Sequence, residues 1–113
     1  MPFINTKVSI PIDREKEKLL KESFGKAITA LGKSEHWLML NFEDNCRMWF
    51  RGKNNSPLAM VEVSLFGKAS AQQYNSMTAQ ISGAITQILG IPSDGIYVKY
   101  SEIDTWGLGN SNF

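Results

Sequence analysis

The residue in this 113-residue chain with the least ordinary chemistry is its second, Pro2. Proline within a chain has no N–H to give a strand, so it suits only the first residue or an edge. Removal of Met1, which a small second side chain favours, would turn Pro2 into a terminal secondary amine. Such an amine titrates near pH 8. An apolar enclosure or a neighbouring lysine disfavours its charged form and lowers that value. A fall to about 6 raises the neutral fraction at pH 7 from roughly a tenth to roughly nine tenths. The product is a general base tuned to remove a proton next to a carbonyl. Met-Pro is also a common way for a chain to begin, so Pro2 alone decides little.

Other chemistry-bearing residues are few. Gly32-Lys33-Ser34 has the ending of a phosphate loop, but Ala27 stands where the first glycine belongs, and the stretch closes a helix instead of opening one. Read locally, Lys33 is a cation that complements a helix C-terminus. Tyr97 and Lys99 lie two apart on a strand pattern and share a face, either a polar rim or the wall of a pocket, with Ile96, Val98 and Tyr100 opposite. His36 is the lone histidine and Cys46 the lone cysteine, which leaves no intrachain disulfide and no basis for a zinc cluster. No serine lies in a nucleophile elbow. No cofactor motif is present, and none is expected.

These residues need elements to hold them. Met1 to Ile10 alternates as a strand, Asp13 suits an N-cap, and Leu20, Phe24, Ala27, Ile28 and Leu31 recur at helical spacing over 14–31, with Gly32 as the stop. Trp37–Phe42 and Arg47–Phe50 read as strands, as do Leu58–Phe66 and Ile96–Tyr100. Ser70 caps a second helix whose stripe is Tyr74, Met77, Ile81, Ala84, Ile85 and Ile88, and Gly90 stops it. The two stripes match at an offset of 57, which predicts two β-α-β repeats, about 1–50 and 58–105, in one domain spanning 1–113. The expected fold is α+β: a four-stranded mixed sheet with both helices on one face, plus short extra strands. An apolar sheet with one bare face predicts oligomerisation through that face.

Twelve basic against eleven acidic residues give a net charge of +1, which offers no electrostatic footprint for nucleic acid or an anionic membrane. Apolar runs are too short for a membrane span, and no secretory signal pattern begins the chain, so the expected location is the cytoplasm.

Taken together, the Met-Pro start, Leu31-Gly32-Lys33, Phe66-Gly67-Lys68, Ile96-Tyr97-Val98 and the closing Gly109-Asn110-Ser111-Asn112-Phe113 resemble the macrophage migration inhibitory factor family of the tautomerase superfamily. The resemblance runs over essentially the full length. It implies a homotrimer whose sheets form a central barrel and whose active sites lie between subunits. It also implies cofactor-independent keto–enol isomerisation of phenylpyruvate-like α-keto acids, with Pro2 as catalytic acid/base. Lys33 then matches the lysine that binds the substrate carboxylate, and Tyr97 the tyrosine supplied by the neighbouring subunit. Phe66 takes a pocket position usually held by isoleucine. Lys99 replaces an asparagine, and Leu108 a pocket tryptophan, with Trp106 close enough to substitute. The vertebrate cytokine's Cys-x-x-Cys is Pro57-Leu58-Ala59-Met60 here, so thiol–disulfide activity does not carry over.

The same resemblance leaves open a cytokine-like signalling or interaction protein, exported without a classical signal and acting on an unidentified receptor. A hydrolytic or decarboxylating use of the proline would need a further carboxylate, for which Glu62 and Glu102 are the candidates.

Overall fold

The computed structural model describes residues 1–113. Strand β1 (Pro2–Val8) leads to helix α1 (Arg14–Ala27) and strand β2 (Met39–Glu43). Strand β3 (Ala59–Phe66), helix α2 (Ala71–Leu89) and strand β4 (Ile96–Ile103) repeat that order, and a hairpin of β5 (Gly107–Leu108) and β6 (Ser111–Asn112) ends the chain. The sheet runs β2-β1-β3-β4. Each β-α-β crossover joins parallel strands, and the two units meet antiparallel at β1 and β3. No helix is long and apolar enough to cross a membrane.

Period-two alternation sets which side of the sheet is buried. Ile4, Val8, Val61, Val63 and Leu65 turn toward the helices and meet Leu20, Phe24, Ile28, Met77, Ile81 and Ile85 in one core. Thr6 lies among them, its hydroxyl buried without a hydrogen-bond partner. Both helices start where the sequence places a cap. The Asp13 carboxylate accepts from the Lys16 N–H at 2.8 Å, and Ser70 forms a reciprocal capping box with Gln73.

Three expectations are corrected. The first helix does not stay α-helical to Leu31: residues Ile28–Leu31 tighten into a 3-10 turn before Gly32 closes it at φ 71°. The Thr29 hydroxyl donates to the Lys26 carbonyl at 2.6 Å, a local bond that competes with the α-helical pattern. Trp37 is not in a strand, because the Ser34 hydroxyl accepts from the His36 N–H and starts a 3-10 turn over Glu35–Trp37. Arg47–Phe50 forms no strand either: within the chain it has no partner strand, and only Phe50 makes a bridge, to Lys53.

The bare sheet face also differs from its expected character. The apolar strand residues turn to the helices, leaving Asn5, Lys7, Asn41, Glu62, Ser64 and Lys99 outward beside Phe3, Met60 and Tyr97. Asn41 bonds Asn5 across the strands at 2.8 Å. Lys7 and Lys99 reach the Glu62 carboxylate at 3.1 and 3.4 Å. The face is thus partly polar rather than the apolar surface expected.

Candidate active site

Pro2 opens β1, where its missing N–H costs no ladder bond, and it is buried opposite Leu65. The register continues past it. The Phe66 N–H donates to the Met1 carbonyl at 3.0 Å, so the chain start is held against the end of β3. The left-handed turn at Gly32 ends the first helical segment, and the Lys33 ammonium then donates to the Phe66 carbonyl at 3.0 Å. Lys33, Phe66 and the chain start therefore share one corner.

The amino group there, on Met1, titrates below its usual value of 8.0. Burial is the larger cause, and the positive charge of Lys33 adds to it. Beside this corner lies an apolar cleft of about 770 Å³, lined among others by Pro2, Phe3, Trp37, Met39, Trp106 and Leu108. Phe66 packs its ring edge-on against the C-terminal Phe113, with centroids 5.0 Å apart, and the Phe113 N–H donates to the Trp106 carbonyl. The tail thereby carries Trp106 and Leu108 to the chain start.

Five of the seven candidate residues thus gather at one end: Pro2, Lys33, Phe66, Trp106 and Leu108. Tyr97 and Lys99 do not. Pro2 pairs with Leu65, whereas Tyr97 pairs with Met60, five positions back along β3. At strand rise that is about 16 Å along the sheet. Tyr97 is 59% exposed at the far end, its ring edge-on to Phe50 at 5.0 Å. Lys99 lies directly opposite Glu62, which it shares with Lys7. The hydrogen bond from Lys7 holds Glu62 below its usual carboxylate value, burial opposes that, and Lys99 adds to it.

Neither carboxylate considered for water chemistry lines the cleft. Glu62 is held by the two lysines, and Glu102 accepts from the Tyr74 hydroxyl at 2.7 Å. Burial, followed by that bond, pushes Tyr74 up to about 12.

Sequence reasoning missed the cleft wall formed by Phe3, Trp37 and Met39. The strand pattern includes Trp37, whereas its indole is half-exposed at the cleft with His36 edge-on at 4.8 Å. The usable signal was Ser34, two residues before His36, which could cap a short turn and re-aim the residues after it.

A family model described as "Macrophage migration inhibitory factor (MIF)" matches residues 1–112. A macrophage migration inhibitory factor of Xenopus laevis is 23% identical over 109 residues, 96% of this chain and 94% of the relative. Among solved structures, Leishmania major MIF2 is similar at TM-score 0.93 and 35% identity, covering 100% of this chain and 97% of that one. A macrophage migration inhibitory factor homologue from Prochlorococcus marinus has TM-score 0.89 and 32% identity, with 98% of each chain covered.

Proposed function

Since the chain belongs to the macrophage migration inhibitory factor family, we propose that it is a cofactor-independent keto–enol tautomerase acting on phenylpyruvate-like α-keto acids. The observation that carries this reading is the corner where buried Pro2, the Lys33 ammonium and a chain-terminal amine of lowered pKa meet beside an apolar cleft.

Those groups set the chemistry. With Met1 removed, the Pro2 nitrogen becomes a secondary amine, in a setting where burial and Lys33 both favour its neutral form. The neutral amine takes the enol hydroxyl proton and returns a proton to the adjacent carbon as the carbonyl forms. The reverse direction begins at the carbon. Lys33 pairs with the substrate carboxylate and stabilises negative charge as it develops on the neighbouring oxygen. Trp106 and Leu108 supply the apolar wall for an aromatic ring, with Phe66 beside them against Phe113.

Tyr97 is too far from Pro2 of its own chain to take part, so the reading includes a homotrimer in which Tyr97 and Lys99 of one copy reach the Pro2 cleft of the next. There Tyr97 hydrogen-bonds the substrate and Lys99 is a cation at the mouth. The family equally accommodates a signalling role with little or no catalysis, and the same experiment separates the two.

That experiment pairs intact-mass analysis with a spectroscopic assay of phenylpyruvate ketonisation. Protein lacking Met1 is expected to accelerate the reaction, and Pro2→Gly to lose most of the rate. Ketonisation no faster than buffer would contradict the enzyme reading.

A further inference from the structure

Arg51 sits in a backbone conformation that its side chain does not favour. The Phe50 N–H donates to the Lys53 carbonyl at 2.8 Å, and the Lys53 N–H returns a bond to Phe50 at 3.0 Å. This pair closes a two-residue loop in which Arg51 and Gly52 both have positive φ, 54° and 74°, as a type I′ turn requires. The first loop position of such a turn favours Asn, Asp or Gly. Backbone strain of this sort persists where surrounding contacts fix it, and it clusters at functional positions.

The Arg51 side chain is linked by ring contacts to Tyr97. The Arg51 guanidinium lies 4.9 Å over the Phe50 ring, and that ring meets Tyr97 edge-on at 5.0 Å. Tyr97 therefore travels with a guanidinium two ring contacts away. Lys99, on the same strand, has its charge engaged by Glu62, whereas neither Arg51 nor Lys53 forms a salt bridge. Asp94 lines the same hollow of about 460 Å³ as Arg51 without pairing to it.

We propose that Arg51 is a specificity residue of the shared site: carried with Tyr97 to the neighbouring cleft, it receives a second substrate carboxylate and favours 2-oxo dicarboxylates over monocarboxylates. This rests on the tautomerase reading and on the placement of Tyr97 given with it. Lys33 takes the carboxylate beside the keto group, and Arg51 the distal one, whose two oxygens match the planar fork of a guanidinium. The proton shuttled by Pro2 is the same for both substrate classes, so the effect falls on binding.

The test compares ketonisation of the enols of phenylpyruvate and oxaloacetate by protein lacking Met1. Arg51→Asn suits a type I′ turn, so its thermal midpoint should be no lower than wild type, which excludes misfolding as the cause of any change. The KM ratio of oxaloacetate to phenylpyruvate is expected to rise about tenfold, the scale of one charge-assisted contact. Arg51→Lys should recover part of that rise. A ratio unmoved by Arg51→Asn, or no recovery with Arg51→Lys, overturns the inference and leaves the tautomerase reading intact. Wild-type turnover of neither compound overturns both.

Discussion

The two ends of the central sheet hold complementary chemistry. At the Pro2 end, a buried proline, a lysine and an apolar cleft provide a base, an anion site and a wall, with no hydroxyl donor of Tyr97's kind. At the Tyr97 end, an exposed phenol stands with Phe50 and Arg51 and faces no cleft wall of its own chain. Two strand pairings, β1 with β3 and β3 with β4, fix them about 16 Å apart along the sheet. No side-chain rearrangement within one chain bridges that distance; in the proposed trimer a second copy placed head to tail does. Heterologous contacts of this kind form rings where the rotation closes. Burial at the Pro2 end and exposure at the Tyr97 end are thus two halves of one proposed site.

The sharpest way to break this division of labour is at the base. Protein that retains Met1 is expected to lose about 10²–10⁴-fold in kcat/KM for phenylpyruvate, the range for a lost general base. Pro2→Gly, which keeps a terminal amine without the proline ring, should lose less. With Met1 retained, the Pro2 nitrogen is an amide without basicity, so mass-resolved fractions should differ in activity accordingly.

Lys33 tests the same end more finely. Lys33→Ala should raise KM about tenfold through loss of one charge-assisted contact. Its effect on pH dependence has a definite sign. A nearby cation lowers the pKa of the amine, and the neutral amine is the active form. Activity should therefore rise with pH as the amine loses its proton, and removing Lys33 should move that limb to higher pH. A limb that stays in place would remove Lys33 from the base's environment. At the opposite end, Tyr97→Phe should cost less, about three- to tenfold in kcat/KM, since it deletes a single neutral hydrogen bond.

The smallest effect lies between the two ends, at Glu62. Its carboxyl is held below the usual value, so the stability it contributes is present above the unfolded pKa and is lost as pH falls through the folded one. Lys7 has the opposite sense: its pKa is raised, and its contribution is lost only as pH rises through that value. Glu62→Gln should therefore flatten the acid side of the melting profile below about pH 5, changing the midpoint near neutrality by only about 2–4 °C, as for an exposed pair. A steeper acid loss than wild type would contradict the assignment.

Much of this was legible in the sequence because it depends on local physics. Asp13 and Ser70 cap helices through bonds to residues three positions on, and Gly32 and Gly90 stop helical segments by adopting φ values that other residues resist. Pro2 stood out by type and position, whereas Lys33 read locally as a helix-end cation and entered the site only through the family resemblance. The engagement of Lys99 was not legible, because it depends on the β3–β4 register that places Lys99 opposite Glu62. Phe113 against Phe66 joins residues 47 apart through a two-stranded hairpin that no periodicity announces. Arg47–Phe50 has a strand's composition, but composition does not supply a partner strand.

The central claim is that a working site needs Pro2 from one copy and Tyr97 from another, and subunit mixing tests it most directly. Chains carrying Pro2→Gly and chains carrying Tyr97→Ala, each freed of Met1 and weakly active alone, would be refolded together and assayed for phenylpyruvate ketonisation. Mixed trimers are expected to contain sites with both wild-type residues, so activity should rise severalfold above the mean of the separate proteins. Activity equal to that mean, with mass analysis confirming mixed assemblies, would contradict a shared site.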